Sequence, residues 1–141
     1  MSLILERTEP GTLSQIWDLI SPGIEQCITH DSDHPRLEEV YAVIRNGGAQ
    51  LFVGYVNKSY AGFVVTTSYR TPWTQTPYLF LWLVHNTTGH DILREGQAQL
   101  EKMAKDAGYA FLRLRSDRLS FERLCRDMGY TLEAIELQKA L

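Results

Sequence analysis

Residues 77–108 read PYLFLWLVHNTTGHDILREGQAQLEKMAKDAG, and the reading of this stretch decides the fold. Pro77 to His85 is a nearly unbroken apolar run, the pattern of a strand covered on both faces of a sheet. From His90 the pattern changes. Ile92, Leu93, Gly96, Leu100, Met103, Ala104 and Ala107 recur at helical spacing, and Gly108 supplies the stop. Between the two lies Asn86-Thr87-Thr88-Gly89, a turn short enough to feed a strand straight into a helix. A buried strand, a tight glycine turn and a long amphipathic helix together predict an α/β protein.

The same logic extends outward. Downstream, YAFLRLRS predicts a strand, LSFERLCRDMG a short helix and YTLEAIELQKAL a closing strand. Upstream, LILERTEP predicts a first strand ended by Pro10. Thr12 is placed to cap a helix whose apolar positions are Leu13, Ile16, Trp17 and Ile20. Pro22-Gly23 is expected to interrupt that helix, leaving GIEQCI as a last turn or a separate piece. A second helix follows Pro35, with Leu37, Val40, Tyr41 and Ile44 on one face and Gly47-Gly48 as its end. AQLFVGYVN and YAGFVVTTSYR predict a hairpin across Asn57-Lys58. The expected architecture is one α/β domain over residues 1–141, a mixed sheet flanked by helices.

Composition narrows the function classes. With 44% apolar and 22% charged residues, the 141-residue chain is globular. A net charge of −3 argues against a general nucleic-acid binder. No apolar run approaches the roughly 20 residues needed to span a bilayer. Cys27 and Cys125 form no disulfide framework, so a cytoplasmic location with reduced thiols is expected.

Three local sequences, LWLVHN, LEKMAKDAGYAFLRLRS and FERLCRDMGY with its Gly129-Tyr130 pair, occur in the order and spacing of the GNAT superfamily of N-acetyltransferases. The chain resembles that family over nearly its whole length. The resemblance implies a GNAT-like acyl-CoA N-acyltransferase fold, acetyl-CoA as co-substrate, and transfer of an acyl group to an amine on a small molecule or a protein. In the family a bulged fourth strand binds the thioester, which implies backbone groups of Trp82, Leu83 and Val84 here. The turn that follows binds the diphosphate on backbone N–H groups at a helix N-terminus. The matching residues are Thr88, Gly89, His90, Asp91, Ile92 and Leu93. Gly89 and Ile92 fit the family pattern; Asp91 and Leu93 replace small residues, and Thr88 replaces a basic one.

Asp91 gives the turn a second reading. Thr88 and Asp91 have the spacing of a capping box. Its carboxylate at about 4 Å from a phosphate charge costs roughly 4 kcal/mol at an effective dielectric of 20. The turn is therefore either a plain capped helix start or a cofactor grip with an unfavourable charge.

Acyl transfer needs a base for the amine and a proton for the leaving thiolate. The family's strand glutamate has no counterpart in Phe80-Leu81-Trp82, and Cys125 stands where its tyrosine is common. His85, ending the buried strand, is the candidate base, and Cys125 the candidate acid. Both residue types also serve as packing. Tyr69, Tyr78 and Tyr130 are further side chains within reach of a cleft. His30, Asp31, Asp33 and His34 lie in a loop without regular ligand spacing, and no metal is expected. Arg113, Arg115, Arg118, Arg123 and Arg126 read as solvated charges with Asp117, Glu122 and Asp127 as partners, although Arg113 and Arg115 share a strand face. Two competing readings stand beside the enzyme. One is an inactive GNAT-fold binding or assembly module, similar to those encoded among phage morphogenesis genes; the other is an unrelated α/β binding domain. A splayed sheet also leaves a homodimer open.

Overall fold

The computed structural model describes residues 2–29, 35–87, 89–115 and 119–141. Five strands form one sheet in the order β1 (Leu3–Arg7), β2 (Gln50–Val56), β3 (Ser59–Arg70), β4 (Pro77–Asn86) and β5 (Phe111–Leu114). The first four are antiparallel neighbours, and β5 joins β4 in parallel. The β2–β3 hairpin turns on Asn57 and Lys58, both at positive φ, the backbone that a two-residue turn needs to match strand twist.

Helices α1 (Leu13–Ile28) and α2 (Leu37–Arg45) cover one face. Their buried side chains, with Leu51, Val53, Phe63, Val65 and Leu83, make one core cluster. On the other face α3 (His90–Asp106) brings Leu100 and Ala104 against Phe52, Val64, Leu79 and Leu81. Helix α4 (Leu119–Asp127) buries Leu124 and Cys125.

Several expectations need correction. Helix α1 runs unbroken through Pro22. The proline is exposed, whereas Leu13, Ile20, Ile24 and Ile28 are buried on both sides of it. Four such side chains contribute about 1.5–3 kcal/mol each, which outweighs the roughly 3 kcal/mol cost of an interior proline. Thr12 does not cap α1: its hydroxyl donates back to the Glu9 carbonyl at 2.9 Å within a 3-10 turn, Pro10–Thr12. Met103 and Ala107 of the predicted α3 stripe are exposed, while Gln97 and Gln99 turn inward enough to make tertiary hydrogen bonds. No strand forms after Gly129; residues 131–141 are irregular and exposed.

The two sheet edges are finished differently. Along β1, α3 supplies polar side chains: Leu3 N–H donates to Glu95 Oε1 at 3.1 Å, and Leu5 N–H to Gln99 Oε1 at 3.1 Å. The Gln99 amide in turn donates to the Leu3 carbonyl. Edge amides are thereby satisfied without a further strand. Among the described residues no comparable side chain covers β5.

Candidate active site

The site begins with a register shift. On β4, Leu83 pairs with Val65 of β3 and Leu81 pairs with the adjacent Thr66, so Trp82 is an extra residue. This is a β-bulge, which interrupts the ladder and re-aims side chains. Leu81 belongs to the core under α3, Trp82 and Leu83 both pack into the core under α1 and α2, and Val84 returns to the α3 side.

The bulge coincides with a parting of strands. The β4–β5 ladder runs from Tyr78↔Phe111 to Leu81↔Leu114, and β4 continues five residues beyond it to Asn86. The sheet therefore opens at Trp82. The hydroxyls of Thr66 and Thr67, on the strand beside the bulge, are buried without a hydrogen-bond partner among the described residues, so this region holds unmet polar capacity.

A cavity of about 70 Å³ lies under the first turns of α3. Leu81 and Val84 of β4, Ile92 and Leu93 of α3, Phe121 of α4 and Met128 just after it contribute to its walls, which also include His85 and residues of β1 and β3. It is apolar and admits a narrow chain rather than a nucleotide.

The turn after β4 is built by Asn86, whose Oδ1 accepts the Gly89 N–H at 3.0 Å. Gly89 is the N-cap of α3 at φ 115°, ψ −169°, backbone open essentially to glycine alone. A Cβ added there meets nothing within 4 Å. Gly89 is thus the N-cap, and among the described residues no side-chain cap bond is made there. Asp91 sits exposed in the first turn of the helix; the capping-box reading with Thr88 falls on a residue outside the described ones. Among the described residues nothing pairs with the leading N–H groups of the helix, from His90 to Ile92, which by geometry suit an anion or solvent. Thr88 itself, like His30, Asp31, Asp33, His34 and Arg118, lies outside the described residues.

The two proton-handling candidates lie on different elements. The His85 imidazole stacks on Phe63, centroids 5.6 Å apart, and faces Gly23 of α1. A Cβ at Gly23 would stand 2.7 Å from the His85 ring and 2.8 Å from Phe63, so glycine here permits the close approach of helix and strand. Burial lowers the His85 pKa from its usual value, because the charged imidazolium loses solvation. Cys125 is 4% exposed and shares its α4 face with Phe121 and Met128, but it is not part of the cavity wall. Burial raises its pKa. Tyr130 donates its hydroxyl to Gln97 Oε1 at 2.9 Å, and burial pushes its pKa up to about 12.

Residues the sequence reading did not single out also contribute. Asn86 fixes the turn, and the Asn-x-x-Gly spacing is its visible signal. Cys27 of α1 donates through Sγ to the Val84 carbonyl at 3.4 Å, a contact between distant segments with no local signal. The arginines lie on the surface as expected: Arg126 pairs with Glu122 at 2.7 Å, while Arg115 pairs with Glu136 at 3.8 Å and Arg113 lies 4.5 Å over the Tyr78 ring.

No model of a known protein family matches the chain, and no curated protein matches it. Solved structures do. A ribosomal-protein-alanine N-acetyltransferase from Brucella melitensis superposes with TM-score 0.75 at 12% identity, covering 100% of both chains. An aminoglycoside acetyltransferase from an uncultured soil metagenomic sample, in complex with sisomicin, gives 0.71 at 13% identity, covering 99% of this chain and 96% of that one. A predicted acetyltransferase with acetyl-CoA from Clostridium acetobutylicum gives 0.70 at 10%, covering 98% and 96%. The unrelated α/β alternative is thereby set aside: this chain has the fold of the GNAT acyl-CoA N-acyltransferases.

Proposed function

We propose that the protein is an acyl-CoA-dependent N-acyltransferase, carrying acetyl or a related acyl group to an amine on a small molecule or a protein. The observation that carries this reading is the bulge at Trp82, placed where β4 and β5 part. A bulge turns backbone amides away from the ladder, and the parting leaves them room to meet a ligand carbonyl.

The fit of acetyl-CoA rests on three features: the open space at Gly89, the α3 N-terminus, which carries no side-chain cap among the described residues, and the narrow apolar cavity under its first turns. When bound, this co-substrate supplies an activated thioester carbonyl. Gly89 and the backbone N–H groups of His90, Asp91, Ile92 and Leu93 hold the diphosphate, with the apolar side chains of Ile92 and Leu93 against the arm. Backbone groups of Trp82, Leu83 and Val84 orient the thioester. His85, kept neutral by burial, takes the proton released as the amine nitrogen forms its C–N bond. The C–S bond breaks and the leaving sulfur takes up a proton from solvent; Cys125, buried and outside the cavity wall, is not placed to give it.

An amine acceptor is the reading supported by two neighbours, one an aminoglycoside acetyltransferase and one a ribosomal-protein-alanine N-acetyltransferase. The test is calorimetry or thermal shift with acetyl-CoA, followed by thiol release with aminoglycosides and with peptides bearing free N-termini. A ligand at 100 times its dissociation constant stabilises the fold by about 2.7 kcal/mol. Absence of any shift at millimolar acetyl-CoA would sink the proposal.

A further inference from the structure

The cavity under α3 extends further than the arm of the co-substrate requires. Its wall begins at Leu81 and Val84, on either side of the bulge, and crosses Val64 of β3 and Gly54 of β2 to reach Leu3 and Leu5 of β1. From β4 to β1 is three strand spacings, roughly 14 Å across the sheet. The line from the Gly89 turn to the bulge, in contrast, runs along β4. The β1 end therefore lies off the path of the arm, on the α3 face of the sheet.

The lining decides what this end accepts. Asn86 Oδ1 accepts the Gly89 N–H, Gln97 Oε1 accepts the Tyr130 hydroxyl, and the His85 ring turns to Phe63 and α1. No other described residue of the wall has a side-chain N–H, O–H or carbonyl group. At about 70 Å³ the space is several times the roughly 10–15 Å³ that one water needs. Water also needs polar partners, and this wall is almost wholly hydrocarbon.

Two glycines shape the β1 end. Gly96 sits in the middle of α3 and Gly54 inside β2, positions at which glycine weakens its own element. A Cβ at Gly54 would stand 3.0 Å from Leu3 Cδ1, and one at Gly96 3.3 Å from Leu3 Cδ2. A larger side chain at either would press on Leu3 or fill the cavity.

We propose that this end of the cavity holds a straight acyl chain, so that the preferred co-substrate is the CoA thioester of a medium-chain fatty acid rather than acetyl-CoA. The proposal rests on the acyl-CoA reading above. The thioester at Trp82 to Val84 directs its chain to the α3 face, whereas the His85 ring lies on the α1 face. Chain and amine thus meet the carbonyl from opposite sides of the sheet.

Calorimetric titration with acetyl-CoA, hexanoyl-CoA and octanoyl-CoA tests this without turnover. Each buried methylene tightens binding by about fourfold, so even partial burial should make octanoyl-CoA at least about tenfold tighter than acetyl-CoA, with hexanoyl-CoA between them. Gly96→Leu and Leu5→Trp fill the β1 end from opposite walls. Each should bring the affinities for acetyl-CoA and octanoyl-CoA to within about fourfold, the worth of one methylene, with thermal melts establishing that the variant is folded. A smaller wild-type difference than the one expected overturns the proposal and leaves the acyl-CoA reading intact. So does an octanoyl preference that survives both variants, since the chain then lies elsewhere. If none of the thioesters binds, the acyl-CoA reading itself fails and this proposal with it.

Discussion

Replacing Gly89 with alanine isolates the backbone of the proposed cofactor turn from its surroundings. The residue sits at φ 115°, ψ −169°, and a Cβ there meets nothing within 4 Å. The substitution therefore adds no clash, and its whole effect is conformational. Holding an L-residue in this region costs about 1–3 kcal/mol, and at roughly 3 °C per kcal/mol for a chain of this size the melting temperature should fall by about 3–9 °C. Gly108 provides the control. It too has positive φ, 90°, with nothing within 4 Å of an added Cβ, but it stops α3 at the end remote from the turn. Gly108→Ala should lower stability by about 1 kcal/mol. Thermal melts of both variants with and without saturating acetyl-CoA separate strain from binding. Gly108→Ala should retain the full ligand-induced shift, and Gly89→Ala should lose most of it as the turn relaxes away from the N–H groups of α3. A Gly89→Ala protein with an unchanged ligand shift would show that this turn does not hold the co-substrate. An unchanged melting temperature without ligand would refute the strain argument itself.

Three further outcomes follow from the packing around β4. Gly23→Ala should cost about 1–3 kcal/mol by overpacking, since its Cβ would meet both His85 and Phe63 below 3 Å; urea unfolding checks this. His85 has a folded pKa below its unfolded value, so its contribution is present above about pH 6.5 and is lost as pH falls through the folded value. The stability of His85→Gln should therefore fall less than that of the wild type between pH 7 and 5, in parallel denaturation series. Cys125, buried and with a raised pKa, should resist alkylation by iodoacetamide in the native protein and react in urea, as peptide mass spectrometry would detect. Cys27, only partly buried, should react first.

The element order was legible because long periodic segments carry their own signal. The α3 stripe and the Pro77–His85 run needed no tertiary information. The bulge was not legible from pattern. Within LFLWLV every residue is apolar, so a one-residue change of face leaves no trace in hydropathy, and only the family resemblance pointed to residues 82–84. Pro22 misled because a local rule met a stronger tertiary force, the burial of α1 on both sides of it. Thr12 and Thr88 were read as caps from residue type, but Thr12 hydrogen-bonds backward and Gly89 takes the cap at α3. The final segment has the residue types of a strand yet forms none, since residue type states what a segment can pair as and not where its partner lies. The candidate site was legible as a position, the strand end and the turn after it, and not as chemistry: the groups proposed to work there are mostly backbone amides, which every sequence possesses.

That last point bears on how such a protein changes over time. The parting of β4 from β5 is fixed by ladder pairs that stop at Leu81↔Leu114 and by the extra residue at Trp82. None of those determinants lies in the turn that follows. Apart from Gly89, whose backbone conformation carries its own stability cost, exposed positions of the turn such as Asp91 can change without altering the parting of β4 and β5.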